Sequence, residues 1–155
     1  MTQERALIVG VGDGLSASLA RLFHREGMAV ALAARNTAKL AALAAETKAK
    51  VYTCDAADRA STAALFAALD ADGMTPTLAV YNPSFRVRGP FVELDQEAVE
   101  KTLMVSAYGA FLMAQHAAQR MLKAGSGTIL FTGASAGVKG YAKSAPFAMG
   151  KFALR

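Results

Sequence analysis

Short, almost wholly apolar runs alternate along the chain with longer runs in which apolar side chains recur every three or four residues. Residues 6–9 are continuously apolar, the pattern of a strand buried on both faces. Residues 15–26 place Leu15, Leu19, Leu22 and Phe23 at helical spacing, and Gly27 closes the segment. A second strand is predicted at residues 29–33. Thr37 then reads as the N-cap of a helix to about Glu46, with Leu40, Leu43 and Ala44 on one face. Residues 51–54 predict a third strand. Asp58 or Ser61 opens the next helix, which runs through Leu65, Phe66 and Leu69 to Gly73. Residues 77–81 predict a fourth strand, and residues 82–94, with Pro83, Gly89 and Pro90, a long loop. Asp95 caps a helix predicted to run unbroken to about residue 124. Its inward face would carry Val99, Leu103, Ser106, Ala110, Met113, Ala117 and Met121, and Gly125-Ser126-Gly127 breaks it. A fifth strand is predicted at residues 128–132 and a last helix from Ala145 onward.

Strands alternating with helices demand a parallel sheet with right-handed crossovers. The expected fold class is therefore α/β: a Rossmann-like doubly wound parallel sheet, a single domain over residues 1–155. Its ligand belongs at the carboxyl ends of the strands, near the point where strand order reverses.

Composition narrows the function classes. With 54% hydrophobic and 19% charged residues, the 155-residue chain has the apolar content of an ordinary globular domain. Its one cysteine, Cys54, excludes an internal disulfide and is expected as a small buried side chain at a strand end. The polar start and the short first apolar run do not make a leader, and no window approaches the roughly 20 apolar residues of a membrane span. A cytoplasmic protein is expected. The net charge of +5 comes from scattered Lys and Arg with no basic run, which argues against a nucleic-acid partner. No Cys/His spacing suggests a metal site. The charge is uneven, however. No acidic residue follows Glu100, whereas Lys101, Arg120, Lys123, Lys139, Lys143, Lys151 and Arg155 do.

The candidate chemistry begins between the first strand and the first helix, at Val9-Gly10-Val11-Gly12-Asp13-Gly14-Leu15-Ser16. A tight strand-to-helix turn needs glycine for positive φ, and it lets a pyrophosphate approach backbone N–H groups and the positive helix end. The common dinucleotide fingerprint would place a third glycine where Leu15 stands; the glycines fit the spacing Gly-x-x-x-Gly at Gly10 and Gly14 instead. At the end of the second strand, where an acid would bond a ribose 2′-hydroxyl, the chain reads Ala34-Arg35-Asn36. An arginine fork there suits a 2′-phosphate.

These residues carry a family resemblance. The glycine segment resembles the T-G-x-x-x-G-[IL]-G loop of short-chain dehydrogenases/reductases, with Val9 for the threonine and Ser16 for the last glycine. The resemblance implies an NADP-type cofactor site at Gly10, Gly12, Asp13, Gly14, Leu15, Arg35 and Asn36. It also implies that Asp55 and Ala56 meet the adenine, and that Asn82, in a degraded Tyr81-Asn82-Pro83-Ser84 version of the family's N-N-A-G, backs the adenine ribose. Pro83 removes a backbone donor, so the hydrogen bonding there must differ. The family's catalytic set is a serine, a Tyr-x-x-x-Lys pair and an asparagine. Here Lys151 matches the lysine, which the resemblance also implies holds the nicotinamide ribose of the cofactor, Ser135 approximates the serine, Phe147 stands in the tyrosine's place and Ser106 in the asparagine's. Tyr141 is a candidate substitute acid.

The resemblance covers the whole chain, and the predicted fold is truncated after the fifth strand and the start of the next helix. The C-terminal part of the family fold is expected to be absent, the chain being either a piece of a longer protein or one whose uncovered edge a partner completes. The implied activity is an NADP(H)-dependent oxidoreductase that moves hydride between a nicotinamide and a small carbonyl or alcohol substrate, as a homo-oligomer. Phe147 and Ser106 keep open an alternative, an NADP(H)-binding scaffold without redox turnover. A domain that binds nothing is disfavoured by the glycine loop and Arg35.

Overall fold

The structure, a computed structural model, describes residues 3–155. The first two residues of the expected domain span lie outside the described residues.

Five strands form one sheet: β1 (Arg5–Val9), β2 (Ala29–Ala34), β3 (Lys50–Thr53), β4 (Leu78–Tyr81) and β5 (Thr128–Phe131). All pairings are parallel, in the order β3-β2-β1-β4-β5. Strand order reverses between β1 and β4. Six α-helices connect and follow the strands: α1 (Leu15–Arg25), α2 (Ala41–Thr47), α3 (Arg59–Ala71), α4 (Gln96–Leu103), α5 (Gly109–Ala124) and α6 (Ala145–Leu154).

The central strands are apolar throughout because both of their faces are covered. On one face Leu7, Val9, Ala31, Ala33, Ala79 and Tyr81 pack against Leu65, Phe66 and Leu69 of α3 and Ala110, Met113, Ala117 and Met121 of α5. On the other, Ala6, Ile8, Val30, Leu32 and Val80 pack against Ala17, Ala20 and Phe23 of α1 and against Leu40 and Leu43. The period-two alternation of β1 thus feeds two cores at once. No helix among the described residues is long and apolar enough to cross a membrane.

Three local expectations are corrected and one open alternative is decided. Thr37 does not cap a helix: a 3₁₀ turn at Ala38–Leu40 precedes α2, and the Asn36 side chain accepts from the Ala38 N–H at 3.1 Å instead. In α1, Leu15 and Leu22 face solvent, and the buried stripe is Ser16, Ala17, Ala20 and Phe23. The small residues sit where backbone must approach the sheet closely, and the leucines rim the contact. Asp58, not Ser61, caps α3, accepting from the Ser61 N–H at 2.6 Å. The long helix from Asp95 is interrupted by one π-helical turn at Met104–Tyr108, between α4 and α5.

That π turn has a packing cause. Tyr81 is fully buried, and its hydroxyl donates to the Val105 carbonyl. Gly109, one position past the turn, lies so close that a Cβ there would collide with the Tyr81 hydroxyl and the Ala56 carbonyl. A buried phenol must find an acceptor, and the widened turn presents one. π turns of this kind recur beside functional sites.

Candidate functional site

The glycine turn after β1 and the loop after β4 meet at the reversal of strand order. Gly10 adopts φ +82°, and its N–H donates to the Ala33 carbonyl at 2.9 Å. A Cβ on Gly10 would strike the Pro83 ring, so the proline removed from hydrogen bonding packs directly on the turn. The Ser16 hydroxyl donates to the Gly10 carbonyl at 2.9 Å, and the Asn82 amide donates to Ser16 Oγ at 2.6 Å. Asn82 therefore acts by fixing the turn through Ser16, a residue to which the sequence reading gave no role. No side chain caps the N-terminus of α1, since the cap position is Gly14 and the Ser16 hydroxyl turns back to Gly10. Its first N–H groups are left for an anion.

A cleft of about 330 Å³ opens here, lined by Gly10, Gly12, Arg35, Asp55, Ala56 and Asn82 among others. Six expected cofactor residues thus share one wall. Asp13, Gly14, Leu15 and Asn36 do not line it; Asn36 is engaged with its own turn, and Leu15 points to solvent. Lys39 joins Arg35 in the cleft, a second cation that spacing alone did not single out. Asp55 is partly spoken for: its carboxylate accepts from the Ala57 N–H at 3.0 Å, and its own N–H donates to Ser61 Oγ at 2.9 Å. Cys54 is buried at the end of β3, as expected, and burial pushes its thiol pKa up.

The donor set fits a dinucleotide phosphate. A Cβ on Gly12 or Gly14 would meet nothing, so there is open space over the turn, beside free helix N–H groups. Two cations stand at the β2 end of the same cleft, and no acid follows β2 in residues 35–45 to take a 2′-hydroxyl.

A second cleft of about 290 Å³ gathers Arg86, Arg88, Ser135, Tyr141, Ser144 and Phe147. The Tyr141 hydroxyl donates to Ser135 Oγ at 2.7 Å. Phe147 is buried, with the Arg86 guanidinium carbon 4.2 Å from its ring centroid. Lys151 lies on the same face of α6, as i, i+4 spacing requires, with Nζ 5.9 Å from the Phe147 centroid. It is buried, and its ammonium donates to the Thr132 carbonyl at 2.7 Å. Burial first, and the Arg86 charge second, pull its pKa below the usual lysine value. Ser106 is not brought to this cleft. It is fully buried in the π turn, its hydroxyl has no partner, and a Cβ on Gly150 of α6 would press against it. A small residue is therefore demanded at the Gly150 crossing. Arg86 and Arg88 are the residues the sequence reading missed. Their only sequence signal is an Arg-x-Arg in the loop ahead of Glu93. Among the described residues no cluster of metal-binding side chains occurs.

Comparison with known proteins agrees with this geometry. A family model described as short chain dehydrogenase matches residues 4–155. The D-threitol dehydrogenase of Mycolicibacterium smegmatis is 31% identical over 130 residues, covering 81% of this chain and 50% of that protein. A short-chain dehydrogenase from Rhodopseudomonas palustris superposes with a TM-score of 0.92 at 30% identity, over 100% of this chain and 75% of that one. A gluconate 5-dehydrogenase from Burkholderia cenocepacia, in complex with NADP and tartrate, gives a TM-score of 0.91 at 27% identity, over 99% of this chain and 62% of that one. The chain spans about half the length of the curated relatives it matches.

Proposed function

Because the chain belongs to the short-chain dehydrogenase family, we propose that it serves an NADP(H)-dependent oxidoreductase acting on a carbonyl or alcohol. One observation carries the reading: a single cleft joins the glycine turn, Arg35, Lys39, Asp55 and Asn82 at the reversal of strand order. When bound, the nicotinamide cofactor supplies or accepts hydride. Gly10 and Gly12 admit its pyrophosphate to backbone N–H groups, while Arg35 and Lys39 receive the 2′-phosphate with paired, charge-assisted donors.

In the second cleft, Tyr141 donates to Ser135, which leaves the Ser135 O–H free to donate to a substrate oxygen. A proton given up by Ser135 is replaced along that bond from Tyr141. Lys151 holds a proton between the Thr132 carbonyl and the Phe147 ring, and its lowered pKa makes that proton easier to release.

NADPH is expected to bind more tightly than NADH, and Arg35→Asp to reverse the order. Calorimetric titration of the two cofactors checks this; equal affinities in the starting protein would remove Arg35 from its role. The second reading, a cofactor-binding scaffold without turnover, is favoured by one observation, the buried Phe147 with no ionisable group. Steady NADPH oxidation with any member of a carbonyl panel decides between them.

We also propose a homo-oligomer. Ala110 and Ala117 of α5 belong to the chain's own core, not to a free face. The outer face instead offers Phe111, 55% exposed and stacked on Tyr108 at 6.2 Å. Closed two-fold pairing is the commonest assembly. Light scattering at micromolar concentration tests it, and a clean monomer overturns it.

A further inference from the structure

The second cleft carries more positive charge than hydride transfer to a neutral carbonyl requires. Arg86 and Arg88 both line it, and neither makes an ion pair or a side-chain hydrogen bond among the described residues. The loop that carries them is tied down rather than loose: the Gly89 N–H donates to the Lys143 carbonyl at 3.1 Å, joining it to the loop that carries Tyr141. The Arg86 guanidinium is held over the Phe147 ring. A cation held through an aromatic face keeps the N–H groups at the edge of its plane free to donate. The Lys139 ammonium stands over the Tyr141 ring at 5.1 Å, and no residue from Lys101 to the chain end is acidic. None of the eight residues lining the cleft carries a negative charge. Both arginines are exposed at the cleft, where water solvates them and an incoming anion can reach them, and arginine's planar fork matches a planar oxyanion in a bidentate contact.

We propose that Arg86 and Arg88 form an oxyanion subsite, so that the substrate of the proposed oxidoreductase is a small carbonyl or hydroxy compound bearing a carboxylate. The inference rests on the reading of the second cleft as the substrate site. The carboxylate seats between the two guanidinium groups. The group to be reduced or oxidised then lies toward the Ser135 and Tyr141 hydroxyls on the same wall. The small cleft, about 290 Å³, suits an acid of a few carbons. The position over Phe147 also assigns Arg86 a second effect: it places a fixed positive charge where negative charge develops on the substrate oxygen.

The test is binding, followed by turnover. With the NADPH-loaded protein, calorimetry is run with oxamate, with its uncharged diamide oxamide, and with inorganic phosphate. Oxamate is expected to bind at least about tenfold more tightly than oxamide, an advantage that shrinks as salt is raised. Arg86→Gln and Arg88→Gln should each weaken oxamate by about tenfold, with Arg86→Lys restoring part of the loss, while NADPH titrates unchanged. Phosphate binding as tightly as oxamate, and lost in the same variants, keeps the subsite but makes the oxyanion a phosphate ester. Equal binding of oxamate and oxamide, or oxamate binding untouched by both glutamine variants, overturns the inference while leaving the oxidoreductase reading intact. Failure of NADPH itself to bind overturns that reading instead. Reduction of short 2-oxo acids compared with their amides, in the same variants, then reports whether the subsite serves turnover.

Discussion

Replacing Phe147 with tyrosine is expected to raise carbonyl reduction at least about tenfold while leaving NADPH affinity nearly unchanged. Phe147 lies one turn before Lys151 on α6 and lines the second cleft, not the first. Its ring is buried, with the Arg86 guanidinium carbon 4.2 Å and the Lys151 ammonium 5.9 Å from its centroid. A phenol hydroxyl added at the ring's edge would sit among cations that favour its ionised form and lower its pKa toward the working range. A general acid so placed contributes about 10²–10⁴-fold. The expectation is set at the lower end because Ser135 and Tyr141 already offer hydroxyl protons in the same cleft. Initial rates at saturating NADPH over a panel of ketones and 2-oxo acids measure the effect, with a parallel NADPH titration. An unaltered rate in a folded, NADPH-bound variant would show that this position does not serve as proton donor.

The second large effect is structural. Gly10→Ala is expected to destabilise the domain by about 3 kcal/mol or more, and to weaken NADPH binding. Two costs combine. The backbone at φ +82° is strained for any residue with a Cβ, at about 1–3 kcal/mol. The new methyl also enters the Pro83 ring, and overpacking of that kind costs about 1–3 kcal/mol. Relief requires Pro83 to move, which pulls Asn82 off Ser16 and loosens the turn itself. In a domain of this size each kcal/mol shifts Tm by about 2–4 °C, so a fall of about 6 °C or more is expected in thermal unfolding. Gly12→Ala is the control. Its Cβ would meet nothing and its φ is not positive. Its stability should change by less than about 0.5 kcal/mol, while NADPH binding falls because the methyl occupies space over the turn. Equal Tm values for the two variants would show that Pro83 does not pack on the turn as described.

Much of this protein was legible in its sequence, and the reasons are local. The alternation of apolar runs with helical periodicities specified the five parallel strands, because each strand is covered on both faces and each crossover helix on one. The glycine turn, Arg35 after β2 and Asp55 after β3 could be placed because a fold of this order brings the carboxyl ends of its central strands together. The family follows from the same features. Local chemistry misled where two local solutions compete, as at Thr37 and Asn36, and left Asp58 and Ser61 as alternatives between which the packed helix chose Asp58.

What the sequence could not show were the contacts between distant segments. Asn82 reaches the glycine turn through Ser16 Oγ, across a separation of 66 residues, and through the Gly10 carbonyl itself. Tyr81 draws out the π turn through the Val105 carbonyl, and Gly109 gives it room, whereas the helical pattern by itself reads as unbroken. Ser106, which aligned with a catalytic asparagine, is sealed against Gly150, where α6 crosses the π turn. Arg86 and Arg88 sit in a loop with no periodicity to read. They acquire meaning only when the Gly89–Lys143 hydrogen bond brings their loop to the wall that carries Tyr141. Period and capping are encoded within a few residues and can be read along the chain. Which charges and hydroxyls share a cleft is decided by how the sheet's crossovers fold the connecting loops onto one another, and only the packed structure fixes that.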